Sequence, residues 1–362
     1  MPRKNNCLVS FIYFILYQLT CFFLTVNLVA IVILSRGKCG LSRCITRYML
    51  SMSAADLLVI ISEVILTRLN YLYFPICFLD LTPVCSLGTS LLCATTDCSV
   101  WLTVAFTVDR HIAICCQKLK MKYCTERTAA VVIGTICALS CFRNIPWYFM
   151  YQPWYVIDNV PWFCKTKESY YGSRVWDVYY CSYTLLTPCV SFVLILLLNS
   201  LTVRYILSAN RIRRRLVGHN STENNNNLEM VNRKKSIVIL FAISWSFILL
   251  WMNYVVYYVY RKILNYHSYS GYSDPVYVLY ETGCMLELLC SCTNTCIYAV
   301  TQSKFSEELK KAAKYPLRLM RHGLCESVHS IWFLSLGWPA LIVSVNSIPS
   351  HLGYMRSQSP AG

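Results

Sequence analysis

The fold of this chain is decided by the stretch Trp101-Leu-Thr-Val-Ala-Phe-Thr-Val-Asp-Arg-His-Ile-Ala-Ile114, in which an apolar run ends in Asp109-Arg110-His111. Cys85 precedes Arg110 by 25 residues. At about 1.5 Å per residue, a helix of that length spans roughly 37 Å, which exceeds a bilayer core of about 30 Å. One membrane-crossing helix would therefore place a cysteine at one surface and an acid–base pair at the other.

The composition of the 362-residue chain indicates a polytopic membrane protein. Hydrophobic residues make up 56% of it and charged residues only 14%, whereas a soluble protein would carry nearer a quarter charged residues. The net charge of +16 does not indicate nucleic-acid binding, because the basic residues cluster in loops between apolar runs. Most of the 21 cysteines lie inside these runs as small apolar side chains, so we predict no metal site.

Seven apolar runs follow a short N-terminus of residues 1–7, and each reaches or approaches the length that crosses a bilayer. Runs of this length are helices, since barrel strands need only about ten residues. The sequence therefore predicts an all-α membrane protein, a seven-transmembrane helix bundle. Spans one to seven cover about 8–34, 46–69, 86–113, 128–150, 176–207, 233–260 and 274–301.

The distribution of lysine and arginine predicts the orientation in the membrane. Most of the 33 basic residues lie in the loops after spans one, three and five and in the C-terminal segment, and cytoplasmic loops carry such an excess. Arg3-Lys4 is a mild contrary signal. We expect a multi-pass plasma-membrane protein whose N-terminus is extracellular and whose C-terminus is cytoplasmic.

Polar residues within the spans are expensive in lipid and are functional by default. Asn27 lies in span one, Asp56 in the middle of span two and Asn294 in span seven. Hydrogen bonds between helices, without ion binding, are the alternative interpretation. In span six, Phe247 and Trp251 lie one turn apart on the same face.

These features together resemble the rhodopsin-like (class A) G-protein-coupled receptors over about residues 20–315, with Asp109-Arg110-His111 standing for that family's Asp/Glu-Arg-Tyr. The resemblance implies that an extracellular ligand drives a helix rearrangement between two states, which a heterotrimeric G protein reads. The family often holds an allosteric sodium ion at Asn27, Asp56 and Asn294, and no other cofactor is expected. The implied switch residues are Asp109, Arg110, His111, Phe247, Trp251, Asn294 and Tyr298.

The resemblance also implies features at both surfaces. A disulfide is expected between Cys85 and Cys164 of the second outer loop. An amphipathic eighth helix is expected at about 303–315, with Phe305 toward lipid and lysines toward anionic headgroups. The stretch ending in Asp109-Arg110 is most similar to that of the orphan receptors numbered 139 and 142, which resemble peptide receptors and respond to aromatic amino acids.

The chain departs from the family at three positions. Asn253 and Thr295 stand where spans six and seven usually have prolines, and Leu196 stands where span five commonly has a tyrosine. A proline would break an i→i−4 hydrogen bond and hinge the helix. A degenerate receptor with little signalling is therefore an alternative function. A membrane transporter is another, although the internal repeats and broken helices expected of transporters do not occur in the sequence.

The candidate ligand pocket is acidic and aromatic. Leu92 occupies the position, one helix length above Arg110, where ligand anchors often lie. Acids in the bundle favour a cationic or amino-bearing ligand, such as an amine, an amino acid or a peptide, unless these acids pair with one another or with water. The other candidates are Glu63, Asp97 and Glu287, with Tyr254 and Tyr257 of span six.

Residues 316–362 are expected to form a cytoplasmic tail, of which 326–362 is atypical because Ile331 to Val345 is apolar but too short to span comfortably. The sequence contains no nucleotide-binding loop, nucleophile motif or metal pair. We therefore predict a protein that is not an enzyme.

Overall fold

The computed structural model describes residues 7–37, 39–69, 77–216, 241–242, 245–261, 274–301 and 305–311, so the expected tail of residues 316–362 lies outside the described residues. Phe22–Leu309 forms one compact unit, which contains every site discussed below. In the second unit, Met1–Cys21 with Lys310–Gly362, the described residues are helical.

Spans one to four are long helices, and polar side chains cap the starts of spans two and four. The Ser42 hydroxyl accepts from the Ile45 amide at 3.4 Å, and the Thr125 hydroxyl accepts from the Thr128 amide at 3.2 Å. Such caps satisfy amides that have no partner within the helix. The helices are Cys7–Ser35, Arg43–Ile60 with a π-helical continuation Ile61–Leu69, Thr82–Cys115, and Glu126–Arg143 with a 3₁₀ continuation Ile145–Met150.

Span four, predicted over about 128–150, changes its helix type within that range. Its α-helical part ends at Arg143, and the chain continues in tighter 3₁₀ geometry through Met150. Pro146 explains the change, because proline has no amide hydrogen and disfavours the α conformation at the residue before it.

Span five contains a π-helical turn around its proline. It is α-helical over Arg174–Thr184, π-helical over Leu185–Val190 and α-helical again over Ser191–Leu216. Pro188 lies inside the π turn, which accommodates the hydrogen bond that proline cannot donate. The helix continues past the predicted end at 207, through an arginine-rich segment of good helix propensity.

The structure describes part of span six and the whole backbone of span seven. Residues 245–261 of span six are helical, while 233–240 lie outside the described residues. Span seven is Pro275–Thr301, and the Asp274 carboxylate caps it by accepting from the Val276 amide at 2.8 Å. Residues 305–311 are helical. The rest of 303–315 lies outside the described residues, so the amphipathic eighth helix stays a prediction.

The second outer loop forms a β-hairpin that the all-helical prediction did not include. Strand β1, Tyr151–Ile157, pairs antiparallel with strand β2, Val160–Thr166. Asp158 and Asn159 form the two-residue turn at φ values of 49° and 62°, and Asp and Asn tolerate this left-handed backbone better than most residues. A disulfide between Cys85 and Cys164, with Cα atoms 6.5 Å apart, holds β2 against the N-terminal end of span three.

Four of the described helices are long and apolar enough to cross a membrane. The described and apolar part of span one, Thr20–Ser35, is shorter. Length and composition thus agree with a membrane bundle in the part of the chain that the structure describes. The four helices are Arg43–Thr67, Thr82–Cys115, Glu126–Met150 and Arg174–Ala209.

Candidate functional site

The C-terminal end of span three carries Asp109 and Arg110 as an ion pair. An Arg110 Nη2 hydrogen is donated to Asp109 Oδ2, and only 6% of the Asp109 side chain is exposed. The thiol of Cys44 in span two donates to the other carboxylate oxygen, Oδ1, at 3.1 Å. The guanidinium carbon of Arg110 lies 5.6 Å from the centre of the Phe106 ring. Arg110 is therefore held along its own helix, and Asp109 is held to span two.

A second thiol reaches the same residue from the inner loop between spans three and four. Cys124 Sγ donates to the Asp109 carbonyl oxygen at 3.7 Å. Partial burial, and then the Asp109 carboxylate, raise the pKa of the Cys124 thiol to about 11. Cys124 is thus a protonated donor at neutral pH and a poor nucleophile.

His111 connects span three to span five. Its Nδ1 atom lies 2.8 Å from the hydroxyl oxygen of Thr202. Thr202 was not singled out from the sequence, because a lone threonine in an apolar helix carries no signal by itself. The triplet Asp109-Arg110-His111 therefore contacts two different neighbouring helices.

The predicted polar residues of spans one and two are fully buried and hydrogen-bonded. Asn27 Nδ2 donates to the Ser291 carbonyl at 3.0 Å, and the Thr295 hydroxyl donates to Asn27 Oδ1 at 3.1 Å. The Ser99 hydroxyl of span three donates to Asp56 Oδ1. These contacts join spans one and seven and spans two and three. Asn294 and Tyr298 lie on the span-seven helix, but their side chains are outside the described residues.

A small cavity, with room for about one water molecule, lies beside the Phe247/Trp251 pair of span six. The two rings have centroids 5.9 Å apart, and Phe192 of span five meets Phe247 edge-on at 5.5 Å. A buried apolar cluster surrounds this contact with Val100, Val104, Ile195 and Ile248. The cavity is lined by Val59, Thr96, Ser99, Thr103, Phe247, Trp251, Glu287, Cys290 and Ser291.

The three predicted pocket acids have different surroundings. Glu287 lines the cavity and accepts from the Thr96 hydroxyl at 2.9 Å. Glu63 is buried in the π-helical turn of span two. Asp97, by contrast, is 1% exposed, and its carboxylate accepts hydrogen bonds from residues of spans four and five. This carboxylate therefore does not face a ligand.

The contacts of Asp97 form a polar cluster between spans three, four and five. Asp97 Oδ1 accepts from Arg143 Nη2 at 2.9 Å and from the Thr187 hydroxyl at 2.6 Å. Its Oδ2 accepts from Asn144 Nδ2 at 2.7 Å. The Arg143 guanidinium also lies 5.1 Å from the centre of the Tyr183 ring. Asp97 was predicted as a pocket acid, but its partner Arg143, 46 residues away in the sequence, was not anticipated.

A row of aromatic side chains runs from Trp251 of span six to Tyr280 of span seven. Tyr254 lies 5.9 Å from Trp251 and 6.2 Å from Tyr257, and Tyr257 lies 5.2 Å from Tyr280 of span seven. Leu92 is partly buried on span three. The structure thus brings the predicted pair Tyr254 and Tyr257 into one continuous aromatic row that ends on the Phe247/Trp251 pair.

A family model described as 7 transmembrane receptor (rhodopsin family) matches residues 26–298, which is most of the chain. The chain belongs to the rhodopsin family of seven-transmembrane receptors. It is therefore a multi-pass plasma-membrane receptor and not an enzyme.

The two positions at which this receptor lacks the family's prolines both carry hydrogen bonds between helices. Asn253 Nδ2 of span six donates to the Leu279 carbonyl of span seven at 3.1 Å. Thr295 makes the bond to Asn27 described above. Span seven is thus hydrogen-bonded to span six and to span one by the two residues that stand in place of the family's prolines.

Proposed function

We propose that this receptor transmits the binding of an extracellular, amino-bearing ligand to a heterotrimeric G protein. The observation that carries the proposal is the Asp109–Arg110 ion pair at the inner end of span three, held by Cys44. The alternative for such an arginine is a side chain that snorkels to the headgroups. Here the guanidinium is half-buried and paired with a buried carboxylate that also accepts from span two, which supports a switch whose two states a ligand can bias.

The aromatic row gives a physical route between the two ends of the receptor. A ligand in the outer half contacts Tyr254 or Glu287, which lie next to Trp251 and the small cavity. A shift of Trp251 repacks Phe247 against Phe192. Packed rings have discrete arrangements and do not deform continuously, so this repacking moves span six relative to span five and frees Arg110 for the G protein.

The ligand class follows from the acids and aromatic rings of the bundle. Asp97 is paired with Arg143, whereas Glu287 lines the cavity together with Phe247 and Trp251, and Glu63 stays a predicted pocket residue. Carboxylates beside aromatic rings favour an ammonium group. The resemblance to the orphan receptors numbered 139 and 142 supports testing aromatic amino acids first, followed by amines and short peptides.

The polar network fits a sodium ion as an allosteric ligand. Asp56 supplies a buried carboxylate, and the hydroxyls of Ser99, Thr103 and Ser291 lie at or beside the cavity. Oxygen donors alone suit a hard cation. Sodium would add positive charge beside Asp56 and favour the state in which the cavity stays open. A sodium-dependent gain in thermal stability that is lost in Asp56→Asn would support this assignment.

The distribution of basic residues supports an extracellular N-terminus and a cytoplasmic C-terminus. On this topology Arg110 faces the G protein, and the Cys85–Cys164 disulfide lies on the oxidising side. Lysines near residue 310 would meet the anionic lipids of the inner leaflet.

A ligand screen with G-protein activation as its signal tests the proposal. Cells expressing the receptor are exposed to aromatic amino acids, amines and peptides, and activation of each Gα class is measured. Arg110→Ala should abolish the response at equal surface expression. Arg127→Ala removes an exposed arginine of the same inner face and should leave the response intact. A response that survives Arg110→Ala would contradict the proposed role of the ion pair.

A receptor with little signalling is the second candidate, and the bonds made by Asn253 and Thr295 favour it. They tie span seven to its neighbours at the positions where the family has hinges. Restoring the proline, as described in the Discussion, separates a constrained receptor from a fully active one. A transporter would instead move solute across vesicles that contain the purified protein.

A further inference from the structure

The His111–Thr202 contact has a defined direction, because the threonine hydroxyl has only one hydrogen to donate. Thr202 Oγ1 donates to the Leu198 carbonyl, one turn earlier in span five, at 2.7 Å. With that hydrogen donated to Leu198, the oxygen accepts from His111 Nδ1, which lies 2.8 Å away. This arrangement assigns a hydrogen to Nδ1 of the imidazole.

We infer that His111 and Thr202 form a clasp between spans three and five, and that Thr202 is a positioning residue for the switch at Arg110. The clasp is the direct hydrogen bond from His111 Nδ1 to Thr202 Oγ1. Thr202 is 1% exposed, so water does not compete for its oxygen. The hydrogen bond therefore keeps most of its strength, which solvent exposure would reduce.

The clasp coexists with the restrained arginine. His111 directly follows Arg110, which is paired with Asp109 in the same structure. The clasp thus belongs to the arrangement in which Arg110 is held back. A hydrogen bond present in one state only stabilises that state, so loss of the clasp shifts the population toward the state with Arg110 released.

Among the described side chains of span five, Thr202 makes the hydrogen bond to the triplet. Leu196, which stands where a tyrosine is common in the family, is an exposed apolar side chain here. Thr202 lies six residues further along the helix and contacts span three. Next to Arg110, a histidine and a threonine therefore join span three to span five, at a place separate from the Asp97–Thr187 bond.

The hydrogen on Nδ1 gives the clasp a spectroscopic signature that is independent of signalling. The full-length receptor is labelled with ¹⁵N-histidine in nanodiscs, and the signal of His111 among the six histidines is identified by its loss in His111→Asn. Neutral His111 should carry its hydrogen on Nδ1 in the wild type and in Thr202→Ser. In Thr202→Val, which is isosteric but has no acceptor, this tautomer should be lost. A neutral imidazole with its hydrogen on Nε2, unchanged in Thr202→Val, would overturn the clasp.

The positioning role, which rests on the proposed G-protein coupling, is tested by ligand-independent nucleotide exchange. Thr202→Val should raise basal exchange roughly two- to tenfold, the range expected for one net hydrogen bond. Thr202→Ser should match the wild type, and His111→Asn, whose amide can place an N–H near the Nδ1 position, should stay closer to the wild type than Thr202→Val.

The two measurements separate the two ideas. A tautomer change in Thr202→Val without any change in basal exchange would overturn the positioning role and leave a purely structural bond. If neither the wild type nor any variant activates a G protein with any ligand, the proposed function fails, while the tautomer still decides whether the clasp exists.

Discussion

Replacement of Arg143 by alanine tests the polar cluster that the structure places between spans three, four and five. Asp97 is 1% exposed and accepts hydrogen bonds from Arg143, Asn144 and Thr187. Arg143→Ala removes the positive charge and leaves a buried carboxylate that only neutral donors contact among the described residues. Breaking a buried pair from one side typically costs about 3–5 kcal/mol, so we expect a large loss of stability.

The structure also predicts that replacing Asp97 and replacing Arg143 cost different amounts of stability. Asp97→Asn keeps a side chain that can accept from Arg143 and Thr187, and the Arg143 side chain is 25% exposed and stacked on Tyr183. Its cost should therefore be smaller than that of Arg143→Ala. The double variant Asp97→Asn/Arg143→Gln removes both charges and should recover most of the lost stability, since neutral replacements of buried pairs are often tolerated.

The assay is thermal unfolding of the purified receptor in detergent, followed by the loss of monodisperse protein. The expected order of midpoints, from lowest to highest, is Arg143→Ala, Asp97→Asn, the double variant and the wild type. Arg174→Ala, which removes an exposed arginine at the start of span five, is the matched control and should unfold with the wild type. The reasoning is refuted if Arg143→Ala unfolds with the control, or if the double variant is no more stable than Arg143→Ala.

Three further predictions concern span six and the surroundings of Asp109. Asn253→Pro removes the bond to the Leu279 carbonyl and introduces a helix hinge, so ligand-dependent G-protein activation should rise. Asn253→Leu is the control, because it removes the same bond without adding a hinge. Equal activation of the two variants would show that the hinge has no role. Cys44→Val removes the donor to Asp109 and should raise basal nucleotide exchange. Cys44→Ser keeps a donor and should leave basal exchange unchanged. Identical behaviour of the two variants would count against the thiol contact. Because the pKa of Cys124 is raised to about 11, its thiolate fraction grows about tenfold per pH unit below that value. Its alkylation rate, followed by peptide mass spectrometry, should rise in proportion between pH 7 and 9, and a plateau in that range would contradict the assignment.

The sequence was informative about features that repeat along the chain or that lie within one helix. The lengths of the apolar runs predicted where helices lie, because a helix must bury its own backbone polar groups to cross lipid. The pair Phe247 and Trp251 could be placed on one face from its spacing alone. The β-hairpin of the second outer loop was not anticipated, since its turn, Asp158-Asn159, lacks the glycine that usually marks such a turn.

Contacts between distant residues could not be read from the sequence. Arg143 and Asp97 are 46 residues apart, and His111 and Thr202 are 91 apart. Whether two such side chains meet depends on the rotation of each helix about its axis and on its depth relative to its neighbours. Both are set by the packing of the whole bundle, and no local pattern encodes them.

The sequence by itself determined that this protein crosses the membrane as helices and that span three ends in the acid–base pair Asp109-Arg110. Hydrophobic length and the cost of unpaired backbone groups in lipid dictate the first point, and the order of residues gives the second. Only the tertiary structure decided which partners the buried polar groups have. It paired Asp97 with Arg143, bonded Asn253 to span seven and Thr295 to span one, and joined His111 to Thr202. Buried polar groups must find partners, and the packed bundle fixes which partners are within reach.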